Sequence, residues 1–156
     1  MSHRHRHLPK YRYHRTMRHL LALFILASPA AAWDFSAQPI CTLTDAAGTI
    51  TVTYDAALPV YSLTITLPQG RWSDDPTFAM NFAGPRPIFI QTDQHQISPD
   101  GRSLTVTDRG FGNVLDGLDF NQRAYAISGD TTVGVSLDGI GPAMAAFRAC
   151  PAANLA

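Results

Sequence analysis

The chain has 156 residues, enough for one domain with its own core and too few for two comfortable ones, and its 12 basic and 12 acidic side chains cancel to a formal charge of zero. All 12 acids are aspartates from Asp34 onward, while half of the basic side chains lie before it, so residues 33–156 set six arginines against twelve aspartates, a charge of −6 with no lysine and no glutamate. Such an acidic stretch favours solubility and has no basic stripe to track a phosphate backbone, so no nucleic-acid partner is expected.

Arg4, Arg6, Lys10, Arg12, Arg15 and Arg18 share the first 19 residues with five of the six histidines. An apolar run from Leu20 to Ala27 follows, then Ser28, Pro29 and Ala30-Ala31-Ala32. A basic start, a short apolar middle and an A-x-A end describe a secretory signal peptide over residues 1–32, with cleavage after Ala32. The apolar run is too short to span a bilayer, so no membrane insertion is expected once the leader is gone. From Met17 the leader is already complete, and Met1 to Thr16 is expected to be an over-called start. The HRHRH tract around His5 leaves with the leader and takes its metal or nucleic-acid chemistry with it. His95 is then the one histidine of the exported domain, residues 33–156, which is expected in the periplasm or outside the cell.

Two cysteines in an exported chain imply one disulfide, Cys41 to Cys150. Closing a loop of about 100 residues is worth on the order of 4–5 kcal/mol in the chain-entropy model. There is no C-x-x-C. Cys41 follows Gln38-Pro39-Ile40 rather than the apolar run, so it is not a lipid-anchored terminus.

Beyond Cys41 the chain alternates. Asp45 to Gly48 makes a turn, after which Ile50, Val52 and Tyr54 fall on one face and Thr49, Thr51 and Thr53 on the other, a half-buried strand. Tyr61, Leu63, Ile65 and Leu67 repeat the pattern. Phe78, Met80 and Phe82 predict a third strand, and Ile88-Phe89-Ile90 a fourth that is more fully buried. Ser98-Pro99-Asp100-Gly101 has proline and glycine where a type I turn wants them, and Leu104 and Val106 predict a fifth strand after it. Asn113 ahead of Val114, Leu115 and Leu118 predicts a short helix near 113–119 with Asn113 as N-cap; a strand turning at Asp116-Gly117 is the rival. Arg123–Ser128 and Thr131–Leu137, separated by Gly129-Asp130, form a hairpin. Pro142 suits a helix start, and Ala143, Met144 and Phe147 share one face of a helix near 142–149 that brings Cys150 to Cys41. The predicted fold is mainly β: a single-domain antiparallel sandwich or curved sheet with two helices, closed by one disulfide.

Three stretches are candidates for function. Trp72 stands beside Arg71, Asp74 and Asp75 in a polar stretch, the company of a recognition aromatic; the alternative is that it caps the core at a sheet edge. Phe111, with Arg109, sits between Gly110 and Gly112. Around it Asp108, Asp116, Asp119 and Asn121 are oxygen ligands of the kind calcium uses, at spacings unlike an EF-hand. The third is His95, with Asp93, Ser98 and Asp100 nearby, from which a hydrolase relay can be drawn although no nucleophile elbow is present. No cofactor motif is present.

The runs DRGFGNVLDGLDFN (108–121), LDGIGPAMAAFRACP (137–151) and WDFSAQPICTL (33–43) resemble a group of small exported alphaproteobacterial proteins over nearly the whole exported domain. Some proteins of that group are called excinucleases of the ABC type. A nucleotide-binding P-loop requires G-x-x-x-x-G-K-[ST], and the exported domain has no lysine, so that activity has no support here. The resemblance implies an exported location and the β-rich fold, and brings no catalytic residues. The function expected is a non-catalytic binding module of the cell envelope, taking an envelope protein or a small ligand through Arg71, Trp72, Arg109 and Phe111. Alternatives are a small hydrolase using His95 and a purely structural envelope component.

Overall fold

The structure, a computed structural model, describes residues 32–153, with side chains up to Cys150. The expected leader and the suggested start at Met17 lie outside the described residues, apart from Ala32. In chain order the elements are β1 (Trp33–Ser36), β2 (Cys41–Asp45), β3 (Ile50–Asp55), β4 (Val60–Thr66), β5 (Phe78–Ala83), β6 (Ile88–Thr92), β7 (His95–Ile97), β8 (Ser103–Asp108), α1 (Gly112–Asp119), β9 (Arg123–Ser128), β10 (Thr131–Ser136) and α2 (Gly141–Ala153). The strands make two antiparallel sheets, ordered β1-β2-β3-β4-β8-β7 and β10-β9-β5-β6. The chain alternates between them, pairing in the first sheet, then the second, then the first again and finally the second.

Period-two patterning decides which face of the first sheet meets the core. Phe35, Leu43, Val52, Leu63, Val106 and His95 are successive register partners across all six strands, so one apolar row ends in a histidine. One residue out of phase, Thr44, Thr51, Thr64, Thr105 and Gln96 form the corresponding row on the outer face. Hydroxyls there pair across strands, Thr44 with Thr51 at 3.2 Å, Ser62 with Thr107 at 3.1 Å, and Thr64 with Thr105 and Thr66 with Ser103 at 3.0 Å. Each such pair contributes roughly 0.2–1 kcal/mol and keeps the outward face wet.

The second sheet presents Phe78, Met80, Phe82, Ala124 and Ala126 inward, all buried. α1 lies against β6 and β9, with Gly117 over the Phe82 ring. α2 packs on β1 and β2, burying Ala143, Met144 and Phe147, the face its sequence predicts. Its Cys150 is joined to Cys41, 109 residues away, at the start of β2.

Most predicted elements are present: the hairpin keeps its boundaries, and in the Ser98–Gly101 turn Gly101 N donates to Ser98 O at 2.8 Å with Gly101 at φ +73°. Three details differ. α1 opens at Gly112 with Phe111 as N-cap and no capping side chain, so Asn113 is inside the helix. The Phe111 ring explains this, since it is drawn into the core against Tyr61, stacked at 5.5 Å, and the helix starts where the ring leaves off. β6 is an edge strand with Phe89 turned out, not the fully buried strand expected of Ile88-Phe89-Ile90. The short strands β1, β2 and β7 complete the first sheet on either side of the predicted ones.

Candidate functional site

Where β4 and β8 of the first sheet face β5 and β6 of the second, the layers leave a cleft of about 260 Å³. Leu63 and Val106 form one wall and Phe78, Met80 and Ile90 the other. Phe111 and Val114, from the glycine-flanked turn into α1, line it as well. Gln91, Thr92, Asp108 and Asn113 supply its polar groups. Period-two strands place the apolar residues here, and the cleft persists because β6 is an edge that no further strand covers.

Each residue picked out from the sequence has a definite place. Trp72 is a core residue, 5% exposed, and not a surface recognition aromatic. Its indole N–H donates to Ile65 O at 3.2 Å and its ring meets Phe78 edge-on, with centroids 6.2 Å apart. Burying an indole is favourable only when its N–H finds an acceptor, and the Ile65 carbonyl provides one. Phe111 is equally buried, at 4%, but one side of it belongs to the cleft wall. Arg71 is exposed beside Gly101, and Arg109 is exposed between two residues of the cleft without lining it. The two loops expected to act together thus meet the same core, Phe111 on the cleft and Trp72 behind Phe78.

The suggested calcium ligands do not converge. Asp116 and Asp119 pair with Arg148 of α2, at 2.9 and 3.3 Å, while Asp108 Oδ1 accepts the Arg109 amide at 2.6 Å. Among the described residues no three acidic, histidine or cysteine side chains gather as a metal site. Asn121 is buried as a bracket, its Nδ2 donating to Arg86 O at 2.7 Å and Gly117 O at 3.0 Å while its Oδ1 accepts Arg86 N at 3.1 Å.

His95 ends the inner row of the first sheet, partnered in register by Val106 and 6.2 Å from the Phe78 ring. Its Nδ1 is buried with no hydrogen-bond partner. No relay is assembled around it: Ser98 Oγ donates to Asp100 Oδ1 at 2.5 Å and accepts the Ser103 amide at 2.9 Å. The Ser98 hydroxyl, then the Arg102 amide, hold the Asp100 carboxyl below the usual aspartate range. These bonds fasten the turn into β8 and leave the serine no proton to share with His95.

Tyr61 was not singled out by the sequence beyond its strand phase. It lies between Tyr54 at 4.5 Å and Phe111 at 5.5 Å, with Phe147 of α2 at 6.4 Å, and so links both helices to the first sheet. Burial, and then the neighbouring Tyr54, push its hydroxyl above the ordinary tyrosine value.

No family model matches the chain, and no curated protein matches it. Among solved structures, the crystal structure of invasion associated protein B from Bartonella henselae is similar at 15% identity and a TM-score of 0.49, over 78% of this chain and 95% of that one. Likeness at that level transfers neither activity nor partner. No helix of the described residues is long and apolar enough to cross a membrane.

Proposed function

We propose that the exported domain is a non-catalytic binding module of the cell envelope, periplasmic or secreted, whose cleft takes one small apolar group. The group belongs to a free ligand or to a side chain of an envelope protein. The observation that carries this reading is the lining: apolar walls from both sheets with a few polar side chains among them, the make-up of small-ligand sites. At about 260 Å³ the cleft suits a single ring or a short acyl segment. The engagement of Ser98 with Asp100 supports a binding role over hydrolysis. The disulfide supports an oxidising compartment.

Thermal unfolding of the oxidised protein with indole, benzyl alcohol and octanoate tests the site. A probe present at 100 times its dissociation constant, binding the folded state alone, adds roughly 2.7 kcal/mol and raises the midpoint measurably. Thr92→Trp, which fills the cleft from a half-exposed wall position, is expected to abolish that rise. An unchanged midpoint with every probe, or the same rise in Thr92→Trp, would remove the cleft as the binding site.

A further inference from the structure

The outer face of the second sheet carries side chains that neither the core nor the cleft explains. Phe89, on the edge strand β6, is 61% exposed, and Phe120, just after α1, is 39% exposed. Asn81 is the register partner of both Phe89 and Tyr125, so the two rings stand on either side of it on one face. They are separated by two strand spacings, about 9.5 Å. Phe78, Met80 and Ile90 point the other way, into the cleft, so this face is a separate surface.

Two guanidinium groups flank the rings. Arg123, on the same face two residues before Tyr125, donates through Nε to the Tyr125 hydroxyl at 3.0 Å and lies 5.6 Å from the ring centroid. Arg86 lies 4.2 Å over the Phe120 ring, and Asn121 brackets its backbone from both sides. Both arginines are therefore held in place before any partner arrives. Neither meets a carboxylate: the salt bridges among the described residues are those of Arg148. In a domain of charge −6, two unpaired, ring-stacked arginines reverse the local sign and call for an anion.

We propose that this face binds an anionic glycan, a saccharide chain bearing carboxylate or sulfate groups. Sugar C–H faces stack on the electron-rich faces of Phe89 and Tyr125, whose separation spans a disaccharide repeat. The Asn81 amide between the rings pairs with hydroxyls. The free N–H donors of Arg86 and Arg123 take the acid groups, in the fork geometry that suits carboxylate. Single-stranded nucleic acid also stacks on aromatic platforms, but it needs a positive groove along its backbone. Two arginines on an acidic, lysine-free domain do not make one.

The test is an NMR titration of the oxidised protein with oligosaccharides of polygalacturonate, alginate and heparin. Methyl-esterified galacturonan serves as the uncharged control and oligothymidylate as the nucleic acid. At least one anionic glycan is expected to shift the amides of Asn81, Phe89 and Arg123, with methyl-esterification weakening binding about tenfold or more, as loss of a charged hydrogen bond requires. Phe89→Ala and Arg86→Gln, both at exposed positions, should each weaken it about three- to tenfold and leave the melting midpoint nearly unchanged. Silence from all three anionic glycans overturns the proposal. So do shifts confined to another face, equal binding of the esterified chain, or tighter binding of oligothymidylate. Thr92→Trp leaves this face intact, so failure here and failure of the cleft are separate results.

Discussion

Trp72 shows what a tryptophan in a polar loop is doing once its ring is placed: the ring fills the space behind Phe78 and the indole N–H satisfies the Ile65 carbonyl. Trp72→Ala removes the packing and strands that carbonyl, so a loss of about 3–5 kcal/mol is expected, a drop of about 10 °C or more in the midpoint. A change within about 2 °C would mean that the ring adds nothing to the core, contrary to its burial. Tyr61 makes a second residue-scale prediction. Its hydroxyl ionises at higher pH in the fold than in the unfolded chain, because burial and Tyr54 disfavour the tyrosinate. The stabilisation from keeping it neutral is whole below about pH 10 and is lost as pH rises past that value through the folded pKa. Tyr61→Phe should therefore flatten the alkaline limb of a stability-against-pH curve; an unaltered limb would assign that limb to other groups.

At the scale of elements, the contact between α1 and the second sheet is the tightest around any glycine of the described residues. A Cβ on Gly117 would collide with Cδ2 of Phe82, a fully buried ring with nowhere to go. Replacing a mid-helix glycine with alanine normally gains about 1 kcal/mol of helix propensity, whereas overpacking a filled core costs roughly 1–3 kcal/mol and more when the obstacle is rigid. Overpacking wins here, so Gly117→Ala is expected to destabilise by about 1–2 kcal/mol in chemical denaturation. Net stabilisation would show that α1 can slide off Phe82. A sequence reader sees Gly117 only as a weak point in a helix, because the partner lies far back along the chain in a strand of the second sheet. The same limit governs the rest. Strict alternation made β3, β4, β5 and β8 legible, and Gly129-Asp130 marked the β9–β10 hairpin. β1 and β7 are four and three residues long, and β2 has five, so their phase is set by their neighbours more than by their own pattern. Phe111 was legible as special and Trp72 was not placed. The cleft depends on two sheets facing each other, and no local spacing records that.

For the whole molecule, the Cys41–Cys150 bond joins the start of β2 to the last helix across 109 residues. In the chain-entropy model a loop that long is worth on the order of 4–5 kcal/mol, against a total of about 5–15 kcal/mol for a domain of ordinary stability. The apolar face of α2 would still hold it to β1 and β2, since Met144 and Phe147 are buried and Phe147 reaches Tyr61. Those contacts act on the folded state, whereas the disulfide acts chiefly on the unfolded one, so each should survive loss of the other. The double variant Cys41→Ala with Cys150→Ala is thus expected to fold with native near-ultraviolet circular dichroism but to unfold about 10 °C or more below the oxidised protein. Hydrogen exchange should find α2 opening first, because it is the element that the cross-link ties directly to the sheet. If the double variant instead kept its midpoint and its α2 protection, the unfolded chain would have to be compact without the cross-link, and stability would give no reason for the domain to require an oxidising compartment.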